Sequence, residues 1–255
     1  MKEFTSAVAD ILRAATGKTK KRCFTSAIIV AGGSGTRMGD IGKTKQLLEI
    51  DGVPTVVRSL LAFERCPIID EIIVAAREDE LKLYPAFREK YRLSKLRAVA
   101  VGGATRQESV LSAFRKVSEK SEFVAIHDTA RCCITPEMIE MTANEAYIYG
   151  AAAAGKKVTD TVKIENGKGF IEGTVDREKV WLVSTPQIIK TDVYRACAYS
   201  AREKGLSVTD DCGLLEAYGF KIKLCDVGSD NIKITKPEDI KAAEEILKRR
   251  DELQK

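Results

Sequence analysis

The sequence predicts an α/β fold with a mainly parallel sheet covered by helices on both faces, and three observations carry this. Apolar strand-like runs alternate with amphipathic helical runs between residues 26 and 149, and glycine-rich turns follow directly on two of the strands. The chain has 255 residues, 44% hydrophobic and 31% charged, enough for one substantial domain with its own core.

In chain order the candidate strands are Ser26–Ala31, Glu71–Ala76, Arg97–Val101 and Phe123–His127. Between and after them lie candidate helices at Pro54–Arg65, Glu78–Tyr91, Arg106–Ser118 and Thr135–Tyr149. Pro54 suits a first helical turn, and Thr135 ahead of Pro136 suits an N-cap. The pattern changes after Gly155. Val162-Lys163-Ile164 and Gly169-Phe170-Ile171 flank Asn166-Gly167 and read as a β-hairpin with no helical cover, either an arm that packs on another subunit or a flap on its own domain. Helices at about 192–204 and 211–218, a strand at about 221–225 and a terminal helix at about 237–250 complete the reading. Residues 1–24 stand apart as an N-terminal extension with apolar residues at helical spacing (Phe4, Val8, Ile11, Leu12, Ala15), followed by a basic tract; the spacing predicts a short helix without assigned function.

Composition excludes several classes. No apolar run reaches the roughly 20 residues a membrane helix needs, and the N-terminus lacks the apolar core of a secretory signal, which predicts a cytoplasmic protein. Seven cysteines without a C-x-x-C spacing argue against a disulfide framework or zinc site and for reduced, buried thiols. The single histidine, His127, excludes a multi-histidine metal cluster and reads as a packed strand-end residue. The net charge of +5 suits an acidic small molecule, and no basic stripe with interleaved aromatics points to nucleic acid.

The stretch Ala27–Leu48 carries the chemistry. It runs from an apolar strand into a loop holding Gly32, Gly33, Gly35 and Gly39 with Arg37, Lys43 and Lys45, where backbone N–H groups and cations can surround phosphates. It is not a Walker A loop: Gly42-Lys43-Thr44 has Arg37 where that motif needs glycine, and Gly17-Lys18-Thr19 has Leu12. Nor is it the dinucleotide fingerprint, whose third glycine would fall on Met38. Further clusters sit at other strand ends: Val101-Gly-Gly-Ala-Thr-Arg106 with Ser109, His127-Asp128-Thr129-Ala130-Arg131, Val175-Asp176-Arg177, and Asp230-Asn231-Ile232-Lys233. Ligands in open parallel sheets bind beyond the carboxyl ends of the strands, where these clusters fall.

In this order the segments AGGSGTRMG, KQLL, GGATRQESV, HDTAR, VTDTVK, TVDREKVW, STPQ, TDDCGLLE and DNIKITKPED, spanning about residues 27–247, resemble the cytidylyltransferases that act on sugar-alcohol phosphates. Within that family they are most similar to the branch acting on 2-C-methyl-D-erythritol 4-phosphate in non-mevalonate isoprenoid synthesis. AGG in the first loop and Cys132-Cys133 after Arg131 depart from that branch's usual pattern, and the loop is also similar to the sister branch acting on ribitol 5-phosphate. A catalytically silent nucleotide-binding relative is the reading from another class; retention of Arg37, Lys45 and Lys233 speaks against it.

The resemblance implies a nucleotidyltransferase-type, Rossmann-like domain over residues 25–255, a hairpin arm at about 156–182, a homodimer formed through that arm, and transfer of CMP from CTP with loss of pyrophosphate. It implies Arg37 and Lys45 at the α-phosphate and departing pyrophosphate, and Arg177 and Lys233 on the substrate phosphate. It further implies Asp128, Arg131 and Thr161 on the substrate, with Thr161 and Arg177 donated by the other subunit. Ala31, Gly32, Gly33, Gly103, Arg106, Ser109 and Thr129 would surround CTP. Mg²⁺ or another divalent cation would be held mainly by the triphosphate, with Asp128 placed to assist.

Overall fold

In the computed structural model, residues 22–33 and 44–253 are described. Arg37, the side chain of Lys45 and nearly all of the N-terminal extension lie outside them. A seven-stranded sheet forms the centre, in the order β11-β7-β10-β6-β1-β4-β5. Its members are β1 (Thr25–Ala31), β4 (Glu71–Ala76), β5 (Leu96–Val101), β6 (Phe123–Asp128), β7 (Ala151–Lys157), β10 (Trp181–Lys190) and β11 (Lys223–Asp226). Two short hairpins supply the remaining strands, β2 (Glu49–Ile50) with β3 (Val53–Pro54), and β8 (Lys163–Glu165) with β9 (Ile171–Thr174). Within the seven-stranded sheet all pairings are parallel except those of β10, which runs antiparallel to both β6 and β7.

Central strands buried on both faces need apolar residues at successive positions, and β4, Glu-Ile-Ile-Val-Ala-Ala, is buried throughout. Successive side chains then serve opposite layers. Ile29, Ile72 and Val74 pack with Val57, Leu60 and Phe63 of α1 (Thr55–Arg65) and with Ile139 and Ala143 of α4 (Pro136–Tyr149). Ile28, Ile73 and Ile126 pack with Val110 and Phe114 of α3 (Arg106–Phe114) and with Tyr194 and Ala198 of α5 (Thr191–Glu203). The remaining helices are α2 (Leu83–Lys90), α6 (Asp211–Glu216) and α7 (Glu238–Leu253). No described helix is long and apolar enough to cross a membrane.

The structure corrects the sequence reading at several points. The helix expected over 78–91 is a 3-10 turn, Glu78–Glu80, followed by α2. A helix begun at Glu78 would carry Pro85 in its interior, whereas starting at Leu83 leaves the proline in the first turn, where its missing N–H costs nothing. Pro54 is the residue before α1 rather than its first position. The hairpin does not use a two-residue Asn-Gly turn: Asn166 Oδ1 accepts from the N–H groups of Lys168 (3.0 Å) and Phe170 (3.4 Å), closing a longer loop and moving the second strand to Ile171–Thr174.

Besides the short pair β2 and β3, two strands of the central sheet have no counterpart in the sequence reading. β7 begins with four alanines, which carry no strand signal of their own, and is a strand because β10 and β11 pair with it on either side. β10 contains Pro186, which falls at a register shift against β7, one of the few places a sheet accommodates proline. All seven cysteines are free thiols, six of them buried and Cys23 half-buried.

Candidate active site

The carboxyl ends of β1, β4, β5 and β6 lie side by side, and two glycine turns leave them in contact. A Cβ on Gly102 would stand 3.1 Å from Ser109 Oγ and 3.6 Å from the Gly32 Cα, so glycine at both positions lets the turn after β1 meet the turn after β5. The second turn is rigidly built. Thr105 caps α3 by accepting from the Glu108 N–H (3.1 Å), and Glu108 Oε2 accepts in return from the N–H groups of Ala104 (2.8 Å) and Thr105 (3.2 Å). Ser109 Oγ accepts from the Gly103 N–H (3.0 Å) and donates to the Thr105 carbonyl (2.8 Å). Ser109 is therefore buried and shapes the turn, while Gly103 has no room for a side chain.

Arg106 opens α3 and reaches across the sheet ends. Its Nε donates to Asp128 Oδ1 at 3.0 Å and its Nη1 to Asp211 Oδ2 at 2.7 Å. Lys233 Nζ donates to Asp128 Oδ2 at 2.8 Å. The result is a chain of alternating charge, Lys233–Asp128–Arg106–Asp211, drawn from the end of β6 and the starts of α3 and α6, with Lys233 from the segment ahead of α7. Burial alone would raise the Asp128 pKa, but Arg106 and Lys233 outweigh it and hold the carboxyl well below the ordinary range. Burial likewise opposes charge on Arg106, and Asp211 with Asp128 overcomes it, keeping the guanidinium firmly protonated. Asp211 is pushed up by its own burial, with Arg106 acting in the opposite sense.

Behind this chain, His127 is fully buried, its Nδ1 3.1 Å from Thr185 Oγ1 and its Nε2 3.3 Å from the Arg131 carbonyl oxygen, with its ring against Phe63. Burial pushes its pKa down to about 3, so it is neutral at pH 7. Thr129 donates to the Val30 carbonyl at 3.0 Å and ties β6 to β1. Arg131 Nη1 donates to the Asn231 carbonyl at 2.9 Å, which draws the Lys233 segment to the same edge.

The structure thus brings together Ala31, Gly32, Gly33, Gly103, Arg106, Ser109, Asp128, Thr129, Arg131 and Lys233 at one edge of the sheet. Arg37 lies outside the described residues; Lys45 has only its backbone described, in the 3-10 turn Lys45–Leu47. That turn is anchored by Gln46, whose Nε2 donates to Glu80 Oε2 at 3.0 Å, and by Thr44, which also bonds Glu80. Thr161 and Arg177 stand exposed on the arm; Arg177 donates to the Thr159 carbonyl at 3.0 Å and makes no hydrogen bond or ion pair with Asp128 or Lys233. Asp211, Glu80 and Asn231 were missed as individual residues, although Asp211 and Asn231 sit inside quoted motifs and Asp211 forms an acidic pair at a helix start.

Among the described residues no group of three His, Cys, Asp or Glu side chains could hold a metal ion. Both Asp128 oxygens already carry cationic donors, so a divalent ion bound there would have to displace Arg106 or Lys233. The arrangement does not fit a dedicated metal cage.

The family model for 2-C-methyl-D-erythritol 4-phosphate cytidylyltransferase (IspD) matches residues 25–249. The Clostridium acetobutylicum protein of that name is 39% identical over 224 residues, covering 88% of this chain and 97% of its own length. The one from Clostridium novyi is 40% identical, covering 87% and 95%. Among solved structures, 4-diphosphocytidyl-2C-methyl-D-erythritol synthase from Anaerococcus prevotii superposes with a TM-score of 0.78 at 32% identity, covering 89% of this chain and 96% of that one. The Thermus thermophilus 2-C-methyl-D-erythritol 4-phosphate cytidylyltransferase gives 0.72 at 29%, covering 88% and 98%. With the family's model matching residues 25–249 and a relative 39% identical over 88% of the chain, this protein belongs to the 2-C-methyl-D-erythritol 4-phosphate cytidylyltransferase (IspD) family.

Proposed function

We propose that this enzyme transfers CMP from CTP to 2-C-methyl-D-erythritol 4-phosphate in isoprenoid biosynthesis, giving 4-diphosphocytidyl-2-C-methyl-D-erythritol and pyrophosphate. Family membership supports the reaction class. The observation that carries the site is the charged chain from Lys233 to Asp211 at the carboxyl edge of the sheet. The substrate phosphate is the nucleophile at the α-phosphorus, and with a second pKa of about 6 it is largely ionised at neutral pH. No general base is needed, which agrees with a lone histidine whose ring nitrogens are both occupied. The chain's task is in-line positioning and charge neutralisation.

In this reading Lys233 and Arg131, joined by Arg177 from the neighbouring arm, receive the substrate phosphate, and Asp128 takes polyol hydroxyls while holding Lys233 in place. Ala31, Gly32, Gly33, Gly103 and Thr129 form the CTP side, with Arg106 and Ser109 fixing its walls, and Arg37 and Lys45 neutralise the α-phosphate and the leaving pyrophosphate. A Mg²⁺ ion held mainly by the triphosphate would supply further neutralisation there. The arm serves a homodimer: Ile164, Phe170 and Ile171 are 51%, 70% and 69% exposed, and pairing would bury them while carrying Thr161 and Arg177 to the neighbouring site. The enzyme works in the cytoplasm. Pyrophosphate release with CTP and Mg²⁺, compared for methylerythritol 4-phosphate and ribitol 5-phosphate, tests the assignment. Preference for the first is the expected result; preference for the second moves the enzyme to the sister branch, and release with neither overturns the activity.

A further inference from the structure

Beside the charged chain, Arg131, Lys156, Ser184, Ser229, Asn231 and Lys233 line a cavity of about 250 Å³ between β7, β10 and the segment ahead of α7. Three of these six are cations and no acidic side chain lines the cavity; Asp128 touches it only through Lys233. Two of the lining residues carry a buried polar atom without a partner, Arg131 Nε, a donor, and Asn231 Oδ1, an acceptor. The orientation of the Asn231 amide is fixed, because its Nδ2 donates to the Thr185 carbonyl at 2.8 Å and to Ser184 Oγ at 3.2 Å, so Oδ1 cannot be exchanged for the donor end. Asn231 itself is 95% buried, and a buried acceptor left unpaired is costly. The cavity therefore calls for an occupant that brings anionic oxygen to three cations and a hydroxyl donor to Asn231.

We propose that Lys156 is a third phosphate-binding cation of this cavity, alongside Arg131 and Lys233, and that Asn231 Oδ1 accepts a hydroxyl of the same hydroxylated phosphate. This rests on the assignment of the Lys233 edge to the polyol phosphate. Lys156 comes from the end of β7, opposite Leu182 of β10, and among the described residues it forms no ion pair, so its charge is available to a ligand. A phosphate bridged by three cations gains charge-assisted hydrogen bonds that no neutral polyol can make.

The test is calorimetric binding of methylerythritol 4-phosphate, ribitol 5-phosphate and unphosphorylated methylerythritol to the full-length protein and to Lys156→Met, which keeps the stem and deletes the charge. Steady-state KM values for CTP accompany it. Loss of one such contact is expected to weaken binding of the phosphorylated polyol by about ten-fold, with KM for CTP unchanged and Lys156→Arg restoring affinity. Dependence on Lys156 seen with ribitol 5-phosphate alone upholds the cavity and overturns the methylerythritol assignment. Affinity for both phosphates unaffected by Lys156→Met overturns the proposal, as does a parallel loss for unphosphorylated methylerythritol.

Discussion

Asp211 holds Arg106 at 2.7 Å across 105 residues of sequence, and through Arg106 it reaches the carboxylate that positions Lys233. The anchor is itself fixed. Asp210 Oδ2 accepts from Gln187 Nε2 at 2.8 Å, and Gln187 Oε1 accepts from the Cys212 N–H at 3.0 Å, so the start of α6 is pinned to β10. The site edge is thus organised from a helix that none of the assigned ligand residues belongs to.

Asp211→Asn removes one charge from a buried pair while keeping the side chain's volume. Arg106 then keeps only Asp128, and the expected result is a loss on the order of 3 kcal/mol in urea unfolding, with turnover falling because Asp128 and Lys233 lose their fixed position. Unchanged stability and turnover together would show that Asp211 does not organise the edge.

The turn after β5 makes a second, purely steric prediction. A Cβ on Gly103 would lie 2.3 Å from the Glu108 Cβ, inside the capping box that starts α3, whereas one on Gly173 meets nothing within 4 Å. Gly103→Ala should destabilise by about 1–3 kcal/mol and Gly173→Ala by much less. Equal unfolding midpoints for the two variants would contradict the crowding at Gly103.

How much of this was legible beforehand depended on whether a signal was local. Strands β1, β4 and β6 announce themselves because burial on both faces demands largely apolar runs, the edge strand β5 through a shorter apolar stretch after Arg97, and the loop after β1 through its clustered glycines and cations. β7 and β10 were silent: four alanines and a proline-containing run become strands through their neighbours alone. In the same way Asp128, Arg131 and Lys233 stand in motifs that point to a strand-end site. The partners that fix them, Asp211, Asn231 and Thr185, are identified by distance in space, which no local spacing encodes.

His127 predicts the pH response. Its folded-state pKa of about 3 lies below the ordinary value of about 6.5, so the unfolded chain takes up the proton first. Its contribution to stability is complete above pH 6.5 and is lost as the pH falls toward 3, by about 1.4 kcal/mol per unit. Between pH 6.5 and 5 carboxylates of ordinary pKa stay ionised in both states, so the slope there comes chiefly from the only histidine, with the raised Asp211 acting in the opposite sense. The Hε1 resonance of this one histidine should not shift between pH 7 and 5; a midpoint near 6.5 would mean that the ring is solvated and the β6 end open.

The arm supplies the last prediction. An isolated two-stranded hairpin is marginal in water, and the arm of β8 and β9 with its loop leaves Ile164, Phe170 and Ile171 largely exposed, the surface that the proposed homodimer would cover. Phe170→Glu puts a charge where a partner would cover apolar surface, and desolvating it there is far costlier than exposing it on a monomer. The expected outcome is a shift from dimer to monomer in sedimentation, with the far-ultraviolet spectrum retained because the arm contributes nothing to the central core. Turnover should fall with the dimer fraction and recover as protein concentration rises, since Thr161 and Arg177 would reach a neighbouring Lys233 only across the pair. A Phe170→Glu protein that is monomeric and fully active would show that each site is complete within one chain.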